Sequence, residues 1–358
     1  MTELSRSSRT ALVLGATGGV GGAIARALAD HGWSVRAMVR DPARASVGWP
    51  AARLTPDFVS GDAMVREDVI RAARQGRPAE IIVHAVNPPG YRDWDKLVLP
   101  MIDNTIAAAR AVDGARVVLP GTVYNYDPAV TPAISAATPQ TAKTRKGRIR
   151  VALEQRLADA APDVPSLILR AGDFLGPGAR SSWVSQAMLT AGAPVRKITT
   201  MAKGVPHAYA YLPDLAEAFA QLLDSPDRLL PHECLQFEGL WDADGRTLVE
   251  TIRGVVGRSV PERSFPWWLM RLAAPFGGFP REAIEIEPVW RHPMRLDNTR
   301  LVELLGAEPR TPLSLAIEQS LADIGCLPDA TAAPSHTCAL YLSSKSHHLK
   351  ADPRSRTP

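Results

Sequence analysis

The chain has 358 residues, of which 46% are hydrophobic and 22% charged, a composition typical of soluble globular proteins. The formal net charge is +4, and no stripe of Lys and Arg interleaved with aromatic residues occurs, so we expect no nucleic-acid partner. The three cysteines are scattered without metal-ligand spacing, no apolar stretch reaches membrane-spanning length, and the first ten residues lack a signal-peptide core. We therefore expect a cytoplasmic protein with no metal site and no membrane partner.

The first predicted strand, residues 11–14, is followed by a glycine-rich turn and a helix over 23–30. Glycines recur every third residue, and each has a physical task in a dinucleotide site. The first lets the chain turn, the second lets backbone N–H groups approach a pyrophosphate, and the third lets the helix pack closely on the strand. An ordinary tight turn is the alternative, but the strand-turn-helix context favours a dinucleotide-binding loop. The residues assigned to it are Gly15, Thr17, Gly18, Gly19, Val20 and Gly21.

The second predicted strand, residues 34–39, ends where an NAD-binding protein usually carries an acidic residue for the ribose 2′-hydroxyl. Val39 fills that position and Arg40 follows it, and a guanidinium can bind a 2′-phosphate through two hydrogen bonds. We therefore favour NADP(H) over NAD(H) as the cofactor. A solvated Arg40 is the alternative, and Asp41 weakens the argument unless Asp41-Pro42 begins the next helix.

Strand and helix patterns alternate through the first half of the chain. Further strands are predicted at 58–59, 81–85, 117–119 and 167–169, and further helices at 67–74, 97–112 and 149–160. This alternation predicts an α/β fold with a doubly wound parallel sheet, whose ligands bind beyond the carboxyl ends of the strands. We assign residues 10–170 to a Rossmann-type domain and 171–326 to a smaller, interleaved substrate lobe with helices at 212–223 and 247–256. Residues 327–358 have the composition of a disordered tail.

Several further motifs occur in a fixed order after the glycine loop. They are Gly61-Asp62, His84-Ala85-Val86-Asn87, Gly121-Thr122-Val123-Tyr124, the segment 169–178 and the segment 211–216. With the loop, they make residues 10–325 resemble the extended and atypical short-chain dehydrogenase/reductases, the NAD(P)-dependent epimerase/dehydratase group. The resemblance implies that Asp62 meets the adenine amino group and that Ala85, Val86 and Asn87 line the cofactor ribose. It also implies a homodimer paired through the helices at 97–112 and 149–160.

The catalytic positions depart from this family's pattern. The family uses a Tyr-x-x-x-Lys pair on one helix, and the matching positions here hold Lys146 and Arg150. Pro120 stands where the family has Ser or Thr. Arg150 could bind a ribose but cannot transfer a proton, because a guanidinium stays protonated. Lys146 is either a helix-surface residue or an acid/base group that loses its proton more readily beside Arg150 and an oxidised nicotinamide.

Other side chains are candidates for orienting or enclosing a substrate. Thr122 and Tyr124 flank the expected active site and could orient a carbonyl or a hydroxyl group, although Tyr124 could equally be packed. The substrate-pocket candidates are Tyr91, Trp94, Asp173, Trp183 and His207. For the aromatic residues core packing is an equal alternative, and His207 could be a surface or structural histidine.

Two functions remain open. One is an NADP(H)-dependent oxidoreductase or isomerase that acts on a small carbonyl or alcohol compound through a non-standard proton relay, including a redox-neutral epimerase or dehydratase that retains its cofactor. The other is a non-catalytic NADP(H)-binding sensor or scaffold, which the missing Tyr and Ser favour.

Overall fold

The computed structural model describes residues 9–49, 55–88, 93–201 and 203–327. The strands are numbered in chain order: β1 Thr10–Leu14, β2 Ser34–Val39, β3 Asp57–Ser60, β4 Ile81–His84, β5 Arg116–Thr122, β6 Ala133–Ile134, β7 Ser166–Ala171, β8 Asp173–Leu175, β9 Ile198–Thr200, β10 His207–Tyr211, β11 His232–Gln236, β12 Leu240–Asp242, β13 Glu262–Ser264 and β14 Arg295–Leu296. The helices are α1 Gly19–Asp30, α2 Pro42–Gly48, α3 Arg66–Arg74, α4 Trp94–Arg110, α5 Arg145–Ala160, α6 Leu212–Asp224, α7 Thr247–Val256, α8 Trp267–Ala273, α9 Gly278–Ile284, α10 Glu287–Arg291, α11 Thr299–Leu305 and α12 Leu313–Asp323.

The main sheet has seven parallel strands in the order β11-β7-β5-β4-β1-β2-β3. Helices α1, α6 and α11 cover one face, and α3, α4 and α5 cover the other. Each face carries its own hydrophobic core, the first under α1 and α6 and the second under α3, α4 and α5. In β1, Ala11 and Val13 belong to the first core, whereas Leu12 and Leu14 belong to the second. A strand buried on both faces needs such a continuous apolar run. The predicted doubly wound α/β fold is confirmed.

The six strands predicted from the sequence all lie in this sheet, but β11 was not predicted. It pairs with β7 at the edge of the sheet, and its polar residues, such as His232 and Gln236, interrupt the apolar pattern. The helix after β2 begins as expected, because the Asp41 carboxylate accepts a hydrogen bond from the Arg44 amide at 3.0 Å and Pro42 occupies the first turn.

A third hydrophobic core lies beyond the carboxyl ends of β5 and β7. It is built on small sheets in the orders β12-β10-β8, β13-β9 and β14-β6, with helices α7 to α10 and α12 around them. Because β6 follows β5 and β8 follows β7, this lobe covers the edge at which a parallel sheet binds its ligands. The segment 171–326 also returns α6 and β11 to the main sheet, so the two parts are interleaved.

Tyr91 and residues 328–358 of the expected tail lie outside the described ranges. Within those ranges, no helix combines the length and apolar character needed to cross a membrane.

Candidate cofactor and active site

The glycine loop joins β1 to α1 in a backbone geometry that only glycine accommodates easily. Gly15 has a φ of +87°, and a Cβ there would lie 2.5 Å from the Ala85 carbonyl oxygen. A Cβ on Gly21 would lie 2.3 Å from the Gly15 carbonyl oxygen, which itself accepts a hydrogen bond from the Gly18 amide at 2.9 Å. The helix is capped by Gly18, which has no side chain to occupy its first amides. The positive helix end therefore fits the pyrophosphate of a dinucleotide.

Thr17 is exposed at the tip of this loop, and Gly19 and Val20 are partly exposed at the start of α1. A Cβ on Gly19 would lie 2.4 Å from the Gly178 carbonyl oxygen. The segment after β8 therefore lies directly over the loop and would enclose a ligand bound there.

The end of β2 lies beside the end of β3, where the adenosine half of a dinucleotide is expected. The Gly61 amide donates to the Val39 carbonyl oxygen at 3.0 Å, so Asp62 follows directly at this edge. One Asp62 oxygen accepts from the Met64 amide at 2.9 Å. Arg40 is exposed at the same edge, and the Asp41 carboxylate beside it is engaged in capping α2.

The end of β4 is connected to α5 through Arg150. Its Nη2 donates to the Asn87 Oδ1 at 3.1 Å, and its guanidinium carbon lies 4.8 Å from the centre of the Trp94 ring. The Ala85 amide donates to the Leu14 carbonyl oxygen at 3.0 Å, and Val86 is half-buried. The structure thus brings Arg150 and Asn87 together next to the glycine loop, while Trp94 is buried beneath them.

Lys146 is buried, with only 1% of its side chain exposed, which excludes a surface role. Its Nζ is ion-paired to the Glu282 carboxylate and lies 3.9 Å from a Glu285 oxygen and 5.9 Å from the centre of the Trp94 ring. Glu282 belongs to α9 and Glu285 follows that helix directly. The position that matches the family's tyrosine therefore holds a cation that is neutralised by the second lobe.

The end of β5 carries the remaining residues of the expected catalytic set. β4 pairs with β5 only as far as Val118, so Pro120 lies beyond that ladder. Thr122 is half-buried at the last position of β5, and its Oγ1 accepts from the Tyr124 amide at 3.3 Å. Tyr124 is half-buried and packs against two of the hydrophobic cores. A Cβ on Gly147 would lie 2.3 Å from the Tyr124 carbonyl oxygen, so α5 begins in close contact with this segment.

Asp173 and His207 form a pair in the second lobe. The His207 Nε2 lies 2.7 Å from an Asp173 oxygen, and the imidazole stacks on Trp290 with ring centroids 4.0 Å apart. Trp183 is buried among aromatic rings that include Trp290, at 6.5 Å, and it therefore packs within the lobe. A cavity of about 10 Å³ beside His207 holds about one water molecule, which is too small for a substrate.

His84 is a buried group near this site that the sequence placed only within a motif. Its Nδ1 lies 2.8 Å from the Thr105 Oγ1, and that hydroxyl donates its own proton to the Met101 carbonyl oxygen. The imidazole must therefore donate from Nδ1. Burial, with a smaller contribution from the Arg150 charge, lowers the pKa of His84 to about 3, so the ring is neutral at physiological pH.

Three further charged residues of this site, Arg145, Glu282 and Glu285, were not predicted from the sequence. Arg145 Nη2 lies 3.5 Å from Glu282, its Nε lies 3.5 Å from Glu285, and its Nη1 lies 3.7 Å from Asp95. No local pattern could have identified these carboxylates, since Lys146 and Glu282 are 136 residues apart. Within the described ranges, no group of His, Cys, Asp and Glu side chains could hold a metal ion.

Comparison with known proteins supports the fold described above. The model of the NAD dependent epimerase/dehydratase family matches residues 11–235. A protein of Streptomyces sp named 3-diazoavenalumate denitrifying reductase is 30% identical over 184 residues, which is 47% of this chain and 57% of that protein. The match therefore spans little more than half the length of that curated relative.

Solved structures of sugar-nucleotide epimerases share the fold. UDP-glucose 4-epimerase from Bifidobacterium longum, in complex with NAD+ and UDP, superimposes with a TM-score of 0.67 at 14% identity, over 88% of this chain and 97% of that one. UDP-glucuronic acid 4-epimerase from Bacillus cereus, in complex with NAD, gives a TM-score of 0.67 at 16% identity, over 88% and 96% of the two chains. At these identities the likeness concerns the fold.

Proposed function

Because the chain belongs to the NAD dependent epimerase/dehydratase family, we propose that it is an NADP(H)-dependent reductase of a small carbonyl compound. The observation that carries the proposal is the convergence of the glycine loop, the Arg150–Asn87 hydrogen bond and the buried Lys146 on one end of the sheet. The name of the Streptomyces relative, which is that of a reductase, supports reduction over epimerisation.

The residues around the glycine loop fit a dinucleotide. The α1 amides at Gly19, Val20 and Gly21 would hold the pyrophosphate. Asp62 would meet the adenine, and Arg150 with Asn87 would meet the nicotinamide ribose. The exposed guanidinium of Arg40 supports the choice of NADP(H), because it stands where a 2′-phosphate would lie and Val39 offers no acceptor to a 2′-hydroxyl.

The reaction requires a hydride at the substrate carbon and a proton at its oxygen. The bound cofactor supplies the hydride, and the side chains of this chain manage the oxygen. Thr122 and Tyr124 orient the carbonyl group. Lys146 donates the proton from Nζ as negative charge develops on the oxygen, and it is reprotonated from solvent. Arg150 keeps its positive charge throughout, so it holds the ribose and takes no part in proton transfer.

A second candidate reaction is reductive loss of dinitrogen from a diazo compound. The replacement of the family's Tyr and Ser by Lys146 and Pro120 favours it. A diazo compound that has taken a proton from solvent is a diazonium ion, and hydride addition to its carbon releases dinitrogen without a proton from the enzyme. The name of the Streptomyces relative describes a denitrifying reductase of such a compound.

A screen of NADPH consumption separates these reactions. The purified protein is incubated with aldehydes, ketones and 3-diazoavenalumate, and both NADPH oxidation and dinitrogen release are measured. Carbonyl reduction should be abolished in Lys146→Met while the Kd for NADPH stays within about twofold. A reaction that needs no proton should survive this substitution. Tight NADPH binding without turnover of any compound, together with redox-dependent capture of a protein partner, would instead support the sensor function.

The resemblance to the family also motivates a homodimer through α4 and α5. These helices pack side by side on one face of the sheet, where Arg156 and Asp103 form an ion pair at 2.7 Å. Sedimentation equilibrium of the wild-type protein and of a variant with Ala107→Glu in α4 tests this association. A cytoplasmic location remains our proposal as well, and the free thiols of Cys234 and Cys326 suit a reducing compartment.

A further inference from the structure

The start of α5 concentrates positive charge at the expected reaction centre. Arg145 and Lys146 occupy the first turn of this helix, where the helix dipole is itself positive, and the first turn carries no acidic residue. Arg150 lies one turn further along, over the same Trp94 ring as Lys146. Such an arrangement requires anions from elsewhere in the molecule.

The second lobe supplies these anions as two carboxylates. Glu282 pairs with the Lys146 ammonium and the Arg145 guanidinium, and Glu285 accepts a hydrogen bond from the Lys146 backbone amide at 3.1 Å. Among the residues that the structure describes, Asp95 on α4 also lies near Arg145, and Arg150 on α5 shares the Trp94 ring with Lys146. The Arg150 charge also acts on the buried, neutral His84.

The burial of Lys146 determines what can replace Glu282. Lys146 is 1% exposed and its partner Glu282 is 14% exposed, so the ammonium is shielded from solvent while the carboxylate is partly accessible. A substrate that binds Nζ has to compete with Glu282, which is the carboxylate paired directly with the ammonium. Removing the partner of a buried charge carries a large free-energy cost, whereas exchanging one carboxylate for another keeps the charge compensated. Replacing Glu282 on Lys146 therefore costs more free energy for a neutral molecule than for an anion of the same shape.

We propose that the substrate carries a carboxylate next to its reducible carbonyl group, as in a 2-oxo acid, and that this carboxylate takes the place of Glu282 on Lys146 and Arg145. This inference rests on the proposed carbonyl reduction and names its substrate class. An ammonium has three N–H donors, so Lys146 can hold a carboxylate and still donate to the adjacent carbonyl oxygen. Glu282 is then the residue that determines specificity, because any substrate must compete with it.

Reduction of a 2-oxo acid adds a hydride to the carbonyl carbon and a proton to the carbonyl oxygen. Hydride from NADPH forms a C–H bond at the carbonyl carbon, and the π pair of the carbonyl group moves onto its oxygen. That oxygen takes a proton from the Lys146 Nζ, which regains one from solvent. A 2-oxo acid, NADPH and a proton thus become a 2-hydroxy acid and NADP+.

Chemical rescue tests the exchange of carboxylates without any need for turnover. Glu282→Ala removes a fragment of the size of acetate, so acetate at constant ionic strength should raise the Tm of this variant, whereas the neutral isostere acetamide should not. Acetate should not raise the Tm of the wild type or of Glu250→Ala, which removes an exposed carboxylate of the same lobe. Should the alanine variant not fold, Glu282→Ser, which also leaves space for acetate, is used in the same experiment. Equal effects of acetate and acetamide on the variant would overturn the proposal.

Turnover of a matched pair tests the substrate class. Wild-type protein should reduce benzoylformate with a kcat/KM at least about tenfold above that of benzoylformamide, because the acid restores the charge pair that displacement of Glu282 breaks and the amide does not. Glu282→Gln should lower the KM for benzoylformate by a larger factor than the KM for the amide, because the acid gains the whole charge pair with Lys146. Preference for the amide would refute the inference while leaving the proposed reductase intact. Acetate rescue without turnover of any carbonyl compound would refute the reductase while leaving the carboxylate site intact.

Discussion

The ion pair between Glu154 and Arg170 ties α5 to β7, and its removal should destabilise the whole site. Both side chains are buried, and the two carboxylate oxygens accept from Arg170 Nε at 3.2 Å, from Arg170 Nη2 at 2.6 Å and from Gln140 Nε2 at 2.6 Å. Burial is the largest single effect and would lower the pKa of Arg170, but the hydrogen bonds to Glu154 and the charge of Glu154, with smaller contributions from Tyr126 and Cys234, together raise it. The guanidinium therefore stays charged and depends on Glu154.

Glu154→Gln keeps the shape of the side chain but removes its charge. One of the two acceptor oxygens becomes an NH2 group that faces the donors of Arg170 or Gln140, and the buried guanidinium loses its counter-ion. Breaking one partner of a buried pair costs about 3–5 kcal/mol. We expect the free energy of unfolding to fall by that amount.

Urea unfolding followed by circular dichroism measures this loss, provided that the m-value is unchanged. The matched control is Glu250→Gln, because Glu250 and its partner Arg246 are about 61% and 62% exposed, and an exposed pair contributes about 0–1 kcal/mol. Glu154→Leu combined with Arg170→Met should be less destabilising than Glu154→Gln, since no buried charge then remains. A loss for Glu154→Gln within about 1 kcal/mol of the control would refute this reasoning.

Three further predictions concern the cofactor site and its surroundings. Gly21→Ala should weaken NADPH binding by about tenfold or more, because its Cβ would lie 2.3 Å from the Gly15 carbonyl oxygen and displace the loop. The control is Gly254→Ala, because a Cβ at Gly254 has no atom within 4 Å. Equal dissociation constants of the two variants for NADPH, measured by calorimetry, would contradict this prediction. Arg40→Ala should raise the Kd for NADPH by about tenfold and leave the Kd for NADH within about twofold, since a hydrogen bond to a charged group contributes about 1.5–3 kcal/mol. An unchanged affinity for NADPH would refute the assignment of Arg40 to the 2′-phosphate. In the unfolded chain His84 takes up a proton below its ordinary pKa of 6.5, whereas in the folded protein its pKa is about 3 and the ring stays neutral. The contribution of His84 to the free energy of unfolding is therefore complete above pH 6.5 and falls on acidification by about 1.4 kcal/mol per pH unit. His84→Gln should therefore flatten the fall of unfolding free energy between about pH 6 and pH 4, and an unaltered slope would show that another group titrates.

Part of the site could be predicted from the sequence because the physical signal is local. The spacing of Gly15, Gly18 and Gly21 follows from the steric demands of one turn, and the structure shows these demands in the clashes that a Cβ would make. Asp41-Pro42 likewise predicted the start of α2, because a cap and its helix are neighbours in the chain.

The same local signals could not define the surroundings of Lys146. The sequence left it as either a surface lysine or an acid/base group, and the structure excludes the surface role. Trp94 and Trp183 show the same limit, since an aromatic side chain suits a pocket wall as well as a core, and both are buried in packing. A contact between residues that are far apart in the sequence produces no periodic pattern in the sequence around either residue.

The sequence by itself determined that this protein has a doubly wound sheet with a dinucleotide loop, because alternating apolar patterns and glycine spacing act over a few residues. The tertiary structure alone decided that β11 completes the sheet and that Glu282 and Glu285 neutralise Arg145 and Lys146. These decisions depend on where the second lobe folds back onto the first. The contact between the second lobe and α5 determines that the Lys146 charge is buried, and the sequence of α5 alone does not predict it.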